Sequence, residues 1–183
     1  KRRDLAVAEG DAIHAHVVGT GVWHGGKSPL KWYSPNIGGQ REAIRAALAR
    51  AKISPATVDY VETEANGSQL GDASEIMAIQ AEYGVREPDH EPLYIGSLKP
   101  LCGHAEAAAA LPALIKVVLA LRNARLLGVE DPGARNEGIN FRPGYALLTA
   151  ERDWPTRSHP RRAALHSLSV GGVNAHVLLE AAA

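Results

Sequence analysis

Three times along the chain, a short apolar run typical of a β-strand ends in a polar loop that contains glycine. These loops span residues 61–72 (VETEANGSQLGD), 95–110 (IGSLKPLCGHAEAAAA) and 167–180 (SLSVGGVNAHVLLE). Stretches with the apolar spacing of helices separate the early strands, and further strands close the sequence. This alternation predicts an α/β sheet covered by helices. The first two loops should lie at the carboxyl ends of strands, where binding sites collect in such sheets.

Apolar periodicity and end signals predict where the elements lie. Strands are predicted at residues 12–22, 58–61, 93–95, 145–149, 163–168 and 173–179, and helices at 38–51, 71–83 and 107–122. Asn36 is the expected N-cap of the first helix. Pro112 lacks a backbone donor, so the third helix should either begin near Leu111 or be kinked. One side of that helix carries an apolar stripe, formed by Leu111, Leu114, Ile115, Val118 and Leu119.

Composition excludes several classes of function. The formal net charge is zero and the basic residues are scattered, so no nucleic-acid interface is predicted. The longest apolar stretch, 105–121, contains Glu106 and Lys116 and is too short to span a membrane. A single cysteine, Cys102, excludes an internal disulfide and favours a reducing compartment, so the predicted location is cytoplasmic. We predict no metal site and no cofactor bound in this chain.

The length of 183 residues fits one domain or one lobe of a larger domain. The sequence opens with KRRDLAVAEGD, without an initiator methionine or a signal peptide. This suggests a fragment whose missing part lies on the N-terminal side.

The second and third loops each allow a chemical and a structural interpretation. The Lys99 ammonium could tune a neighbouring group, and a neutral His104 could donate to a developing oxyanion. Equally, both could be inert residues at a helix entrance. Gly171 and Gly172 could form a hairpin that needs unusual backbone angles, or they could present backbone N–H groups to an oxyanion.

Taken in order, the three loops resemble the C-terminal half of β-ketoacyl synthases, in particular the ketosynthase domains of modular polyketide synthases. That family typically has VEAHGTGTxLGD, then IGSVKSNIGHTEAAAGVAGLIKVVLAL, then SSFGFGGTNAHVVLE. This chain has VETEANGSQLGD, IGSLKPLCGHAEAAAALPALIKVVLAL and HSLSVGGVNAHVLLE. The likeness runs from about Asp11 to Glu180 and so covers nearly the whole chain.

The resemblance implies the thiolase fold, in which two similar halves pack as a layered α-β-α-β-α structure. Residues 1–183 would form only the C-terminal half, as a single lobe. The family's nucleophilic cysteine belongs to the N-terminal half, in a motif like TACSS, so Cys102 is expected to be a half-buried thiol without a catalytic role. The implied partners are that N-terminal half, a second copy in a homodimer, and an acyl carrier protein that presents its substrate on phosphopantetheine.

Matched residue by residue, the family's catalytic lysine corresponds to Lys99 and its second catalytic histidine to His104. The first histidine corresponds to Glu64. A carboxylate about 4 Å from an enolate oxygen, in an effective dielectric of about 20, opposes its charge by about 4 kcal/mol. Because each 1.4 kcal/mol changes a rate about tenfold, decarboxylative condensation would slow about a thousandfold.

Further departures surround this position. Asn66 and Ser68 replace the threonines of the HGTGT turn, and Val170 replaces the phenylalanine gate before Gly171. We predict that these four residues contact the substrate, with the Val170 N–H as an oxyanion donor. Asn174 and His176 are expected to be structural. The entrance loop is rebuilt with three aromatic residues, Trp23, Trp32 and Tyr33.

Three functions remain open from the sequence. The favoured one is a non-elongating ketosynthase, which binds or transfers an acyl chain from an acyl carrier protein without condensation. The second is a non-catalytic structural partner, similar to a chain-length factor. The third is an active ketosynthase in which a protonated Glu64 donates the missing hydrogen bond. Half of a thiolase fold exposes apolar surface, so the lobe is not expected to be stable alone.

Overall fold

The computed structural model describes residues 1–25, 34–86, 91–129, 136–155 and 157–182. Two 3₁₀ turns, Pro55–Thr57 and Glu106–Ala108, occur between the regular elements. The helices are α1 Arg3–Ala8, α2 Ile37–Ala51, α3 Gln69–Tyr83, α4 Lys99–Cys102 and α5 Ala110–Asn123. The strands are β1 Ala15–His24, β2 Tyr60–Glu62, β3 Leu93–Gly96, β4 Arg125–Leu126, β5 Tyr145–Leu147, β6 Arg152–Asp153, β7 Arg162–Leu168 and β8 Val173–Ala181.

The main sheet has six strands in the order β1-β8-β7-β2-β3-β5. The central pairs β7-β2, β2-β3 and β3-β5 are parallel, while β8 runs antiparallel to both β7 and β1. Because β2 and β3 are parallel neighbours, the loops that follow them emerge at the same end of the sheet. The predicted α/β sheet covered by helices is therefore confirmed. The two-residue strands β4 and β6 form a separate small ribbon that the sequence did not predict.

Helices cover the sheet on both faces. On one face α2 and α3 bury Ile44 and Ile79 against Val61 of β2. On the other face α5 buries Val117 against strand residues that include Leu165 of β7. The lobe is thus a three-layered α-β-α structure with one apolar core on each side of the sheet.

Local signals explain where the main helices begin and how closely they pack. Asn36 caps α2 as predicted, since its Oδ1 accepts the Gly39 N–H at 2.9 Å. Helix α5 begins at Ala110, so Pro112 falls in the first turn, where no intrahelical donor is needed. A Cβ on Gly21 of β1 would lie only 1.9 Å from the Ala43 carbonyl oxygen, so glycine is required where α2 crosses this strand.

The apolar stripe of α5 faces away from the sheet. The side of the helix that packs on the strands carries Ala113 and Val117, both almost completely buried. Three residues of the predicted stripe are instead exposed: Leu111 by 63%, Ile115 by 59% and Leu119 by 45%. The helix is therefore apolar on two sides, as expected for a helix between two layers.

Candidate active site

The loop after β2 turns sharply and is held by a buried glutamate from α3. Ala65 adopts a left-handed conformation with φ of 39°, which is uncommon for a residue with a side chain. The Glu64 and Ala65 N–H groups donate to the two carboxyl oxygens of Glu75 at 2.7 and 3.0 Å. Burial raises the pKa of Glu75 to about 8, although these two hydrogen bonds act to lower it. Glu75 thus fixes the backbone that carries Glu64.

The side chain of Glu64 joins all three polar loops. It is 3% exposed, and its Oε1 lies 3.1 Å from Nε2 of His104 and 3.4 Å from Nζ of Lys99. Its Oε2 accepts hydrogen bonds from the Ser167 hydroxyl at 3.0 Å and the Leu168 N–H at 3.2 Å. The three residues that the sequence singled out for chemistry are therefore brought together, and Glu64 is their common partner. We call Glu64, Lys99, His104, Ser167 and Leu168 the Glu64 cluster.

The hydrogen bonds of His104 determine which ring nitrogen can act on a substrate. Its Nδ1 accepts the Glu106 N–H at 3.0 Å, so a neutral ring carries its proton on Nε2. The Nε2 atom lies 3.1 Å from Oε1 of Glu64. With Nδ1 used by the backbone and Nε2 carrying the proton, His104 is arranged as a hydrogen-bond donor and not as a general base. The arrangement does not suit a hydrolase, in which a carboxylate orients a basic imidazole.

Glu64 is surrounded by donors on both oxygens. Lys99 and His104 face Oε1, while Ser167 and Leu168 donate to Oε2. The two contacts to Oε2 have hydrogen-bond geometry, whereas Lys99 and His104 lie within ion-pair distance of Oε1. Both carboxyl oxygens are therefore occupied by contacts within the cluster.

Asn66 and Ser68 use their polar atoms to shape the turn. The Asn66 Oδ1 accepts the Ser68 N–H at 2.8 Å, and the Ser68 hydroxyl oxygen accepts the Gly71 N–H at 3.2 Å as the N-cap of α3. Both residues are exposed. Their contact with a substrate stays a prediction.

Val170 and Gly171 lie at the turn between β7 and β8, beyond the part of this loop that contacts Glu64. The Val170 side chain is 66% exposed, and the Gly171 N–H donates to Ser169 Oγ at 3.1 Å. Gly172 has φ of 85°, which suits the hairpin interpretation. Within the described ranges, the Val170 N–H has no hydrogen-bond acceptor, so its predicted role as an oxyanion donor stays open.

Two further predictions concern residues near the loops. Cys102, expected to be half-buried, is instead exposed, as are its neighbours Leu101 and Gly103. His176 is fully buried, with Nε2 2.8 Å from the Tyr83 hydroxyl and Nδ1 3.0 Å from Nδ1 of His166. Asn174 is also buried and donates to the Gly172 carbonyl. These contacts agree with structural roles for Asn174 and His176.

The aromatic entrance loop is only partly described. The Trp23 ring packs against the start of α2, where a Cβ on Gly39 would approach it within 2.2 Å. Trp32 and Tyr33 lie outside the described residues.

Sequence reasoning missed the two donors to Oε2 and the role of Glu75. Ser167 and Leu168 lie at the end of β7, which is not adjacent to β2 in sequence, although the two strands pair in parallel. A polar residue at the end of a predicted strand was the only available signal for Ser167. Glu75 lies on a helix face whose buried positions include other polar residues, so its pattern did not distinguish it.

The described residues were also compared with what a metal site, a membrane-spanning helix and a ligand groove require. Among the residues with described positions, no group of three or more histidine, cysteine, aspartate or glutamate side chains is arranged to hold a metal ion. None of the helices in the described part is long and apolar enough to cross a bilayer. An open groove of about 750 Å³ is lined by α1, β1 and α5, including Val17, Leu114 and Val118. Its lining contains no residue of the Glu64 cluster.

Comparison with known proteins supports the resemblance seen in the motifs. Residues 14–128 match the family described as Beta-ketoacyl synthase, C-terminal domain. The chain is 40% identical over 183 residues to polyketide synthase GfsE of Streptomyces halstedii, covering 98% of this chain and 4% of that protein. It is 40% identical to the spectinabilin polyketide synthase system protein NorA of Streptomyces orinoci, covering 99% of this chain and 9% of that protein. The chain thus spans less than a tenth of these relatives.

Solved structures show the same architecture. Ketosynthase twelve from the bacillaene polyketide synthase of Bacillus amyloliquefaciens superposes with a TM-score of 0.92 at 33% identity, covering all of this chain and 33% of that one. The oxazolomycin ketosynthase domain OzmH KS7 of Streptomyces albus JA3453 gives a TM-score of 0.91 at 34% identity, again covering 33% of that chain. The predicted fold class, the C-terminal half of a thiolase-like fold, is confirmed.

Proposed function

Because this chain belongs to the β-ketoacyl synthase family and forms the C-terminal part of a polyketide-synthase ketosynthase domain, we propose that the complete domain is non-elongating. It would accept an acyl chain from an acyl carrier protein and hold or transfer it without decarboxylative condensation. The observation that carries this proposal is the position of the Glu64 carboxylate, 3.1 Å from Nε2 of His104. The donor that would face a thioester carbonyl already has an anionic acceptor.

The chemistry of condensation explains why this contact matters. Loss of carbon dioxide from a malonyl thioester leaves an enolate, whose oxygen needs hydrogen-bond donors or positive charge. Glu64 stands at the position of one such donor in the motif of the family and binds the other, His104. It also lies 3.4 Å from the Lys99 ammonium and so offsets the nearest positive charge. An enolate at this place would meet one carboxylate and one imidazole in place of two imidazoles.

Acyl transfer makes smaller demands on these residues. A cysteine thiolate in the N-terminal half would attack the acyl thioester, and the carrier thiol would leave, so no enolate forms. The transfer needs an oxyanion donor, and the Val170 N–H, which has no acceptor among the described residues, is a candidate for it. Loss of the first histidine therefore affects condensation far more than transfer. This difference separates the proposal from a purely structural role.

The N-terminal half and the carrier protein belong to the proposal as partners. The outward stripe of α5, formed by Leu111, Ile115 and Leu119, is exposed in the isolated lobe and suits a covering layer. We propose that the N-terminal half covers it and that the complete domain forms a homodimer in the cytoplasm. The acyl group would arrive on the phosphopantetheine arm of the carrier.

Two measurements on the complete domain test the proposal. Incubation with an acyl-carrier thioester should give a covalent acyl adduct by mass spectrometry, whereas a structural partner would give none. Incubation with malonyl-carrier should release almost no carbon dioxide. Decarboxylation by the unmodified domain at the rate of an ordinary ketosynthase would contradict the proposal. If condensation instead occurred and failed as pH rose through a carboxyl titration, the active alternative with a protonated Glu64 would be supported.

Substitution of Glu64 provides the decisive comparison. Glu64→His removes the charge and supplies an imidazole donor, so we expect decarboxylation to rise by more than about a thousandfold, since about 4 kcal/mol of repulsion alone implies that factor. Glu64→Gln is the matched control, because it removes the charge without an imidazole. It should recover only part of the increase. Equal decarboxylation by both variants and the unmodified domain would show that Glu64 is not the obstacle.

A further inference from the structure

A second buried carboxylate lies two residues before Glu64 and has different partners. Glu62, the last residue of β2, is completely buried, and its Oε2 lies 2.8 Å from the Lys116 ammonium of α5. Tyr60 donates its hydroxyl to the same carboxyl group and accepts from Lys116 at 2.9 Å. The Lys116 side chain is only 5% exposed. Tyr60, Glu62 and Lys116 therefore form hydrogen bonds with one another inside the core.

The other oxygen of Glu62 extends to the second loop. Its Oε1 accepts the Leu98 N–H at 2.6 Å, and Leu98 is the residue immediately before Lys99. The neighbouring Thr63 N–H and hydroxyl both donate to the Gly96 carbonyl, at 2.8 and 2.9 Å. The ends of β2 and β3 are therefore joined by backbone and side-chain hydrogen bonds that continue beyond their strand pairing.

The Leu98 contact controls the start of α4. Leu98 is the N-cap of this four-residue helix, and its side chain cannot cap the exposed N–H groups. Glu62, at the end of β2, accepts the Leu98 N–H, and the Ser97 hydroxyl oxygen accepts the next N–H, that of Lys99, at 3.3 Å. Because Lys99 follows directly, the position of its side chain depends on where Leu98 is held. The Lys99 ammonium in turn lies 3.4 Å from Oε1 of Glu64, which follows Glu62 by two residues.

We infer that Glu62, held by Lys116, is a positioning residue that fixes Lys99 against Glu64. Lys116 orients the carboxyl group by a direct contact with Oε2, and Oε1 of Glu62 accepts the Leu98 N–H. Helix α5 contributes Lys116 from its sheet-facing side while its opposite side is exposed. The Glu62–Lys116 pair therefore connects α5, whose opposite side is exposed, to the segment that carries Lys99. The inference rests on the proposed function only in assigning a functional role to Lys99; the positioning itself does not depend on it.

A purely structural role is the competing explanation, since any buried ion pair can contribute to stability. Removal of one partner would leave an unpaired buried charge, so single variants cannot separate the two explanations. Double variants that remove both charges can. Glu62→Gln with Lys116→Met keeps an oxygen acceptor for Leu98. Glu62→Leu with Lys116→Met has a similar size but no acceptor.

The chemical accessibility of Lys99 is the property to measure. In the complete domain, the rate of Lys99 acetylation by brief pulses of acetic anhydride can be followed by peptide mass spectrometry. Lys99 is 11% exposed and contacts Glu64, so it should react slowly in the unmodified domain. Lys52, an exposed residue that follows α2, is the internal control within the same chain. The measurement needs no acyl transfer, so its outcome is independent of the acylation assay.

We expect Glu62→Leu with Lys116→Met to raise the Lys99 rate at least about tenfold, while Glu62→Gln with Lys116→Met stays within about twofold of the unmodified domain. Lys52 should react equally in all of them. If the leucine variant does not fold, Glu62→Asn with Lys116→Met withdraws the acceptor by one C–C bond, about 1.5 Å, and should also raise the Lys99 rate. Equal Lys99 rates in the variants with and without the acceptor would overturn the inference.

Discussion

Glu62 and Glu64 lie two residues apart and are both buried, yet their surroundings differ. Glu62 has its cationic partner on a long helix and is completely enclosed. Glu64 has its partners at the start of α4, just beyond α4 and at the end of β7, and one of them, His104, is about a third exposed. Glu62 is paired within the core and acts on Lys99 through the Leu98 N–H, whereas Glu64 lies directly against Lys99 and His104. Burial alone does not distinguish Glu62 from Glu64. The two carboxyl groups differ in which elements of the fold supply their partners.

The largest expected difference between the two carboxylates is in stability. Lys116→Met leaves the Glu62 charge buried and unpaired, so we expect the free energy of unfolding of the complete domain to fall by about 3–5 kcal/mol. Lys99→Met is the matched control, because Glu64 keeps His104, Ser167 and Leu168 as partners. It should cost about 2 kcal/mol. Urea denaturation of both variants measures the difference, and equal losses would show that the two pairs are equivalent.

Two buried histidines provide a contrast with the buried carboxyl groups, because they are predicted to make stability depend on pH. His166 and His176 are completely buried, and burial lowers the pKa of His166 to about 3 and that of His176 well below its usual value. Folding then holds the rings neutral, so their contribution to stability is complete above about pH 6.5 and is lost as pH falls toward the folded pKa. Each ring should make the free energy of unfolding fall by about 1.4 kcal/mol per pH unit in that range.

A variant isolates this effect from other titrations. His166→Gln removes one ring with little change of size, so the stability difference between it and the unmodified domain should shift by about 1.4 kcal/mol per pH unit between about pH 6 and 4. Glu75, whose pKa is raised to about 8, acts in the opposite direction, because its contribution is lost as pH rises from about 4.5. Glu75 is present in both proteins and cancels. A difference that is independent of pH would contradict the neutral buried ring.

The convergence of Glu64, Lys99 and His104 could be predicted from sequence because it follows from strand order. Parallel neighbours end at the same edge, so loops that follow them must meet there. The Glu62–Lys116 contact could not be predicted in this way, since it joins a strand end to a helix position 54 residues later. No periodic pattern distinguishes a buried lysine on such a helix from one that reaches solvent.

The sequence also could not predict which side of α5 packs on the sheet. Both sides of this helix are apolar, so periodicity finds two candidate core faces and cannot choose between them. Small residues such as Ala113 pack on the sheet, where the helix approaches closely, and the larger Ile115 points outward. The short helix α4 was missed for a different reason, because four residues that include Pro100 carry no helical pattern.

The smallest predicted effect concerns the one side chain that the third loop contributes to Glu64. Ser167→Ala removes a single hydrogen bond to Oε2, while the Leu168 N–H, Lys99 and His104 remain. We expect a loss of about 1 kcal/mol in the free energy of unfolding. In a Glu64→His background the same substitution should cost almost nothing, because the carboxylate oxygen it serves is gone. A double-mutant cycle by urea denaturation measures this coupling. Additive losses would mean that Ser167 stabilises β7 and not Glu64, and Glu64 would then depend on Lys99, His104 and the Leu168 N–H.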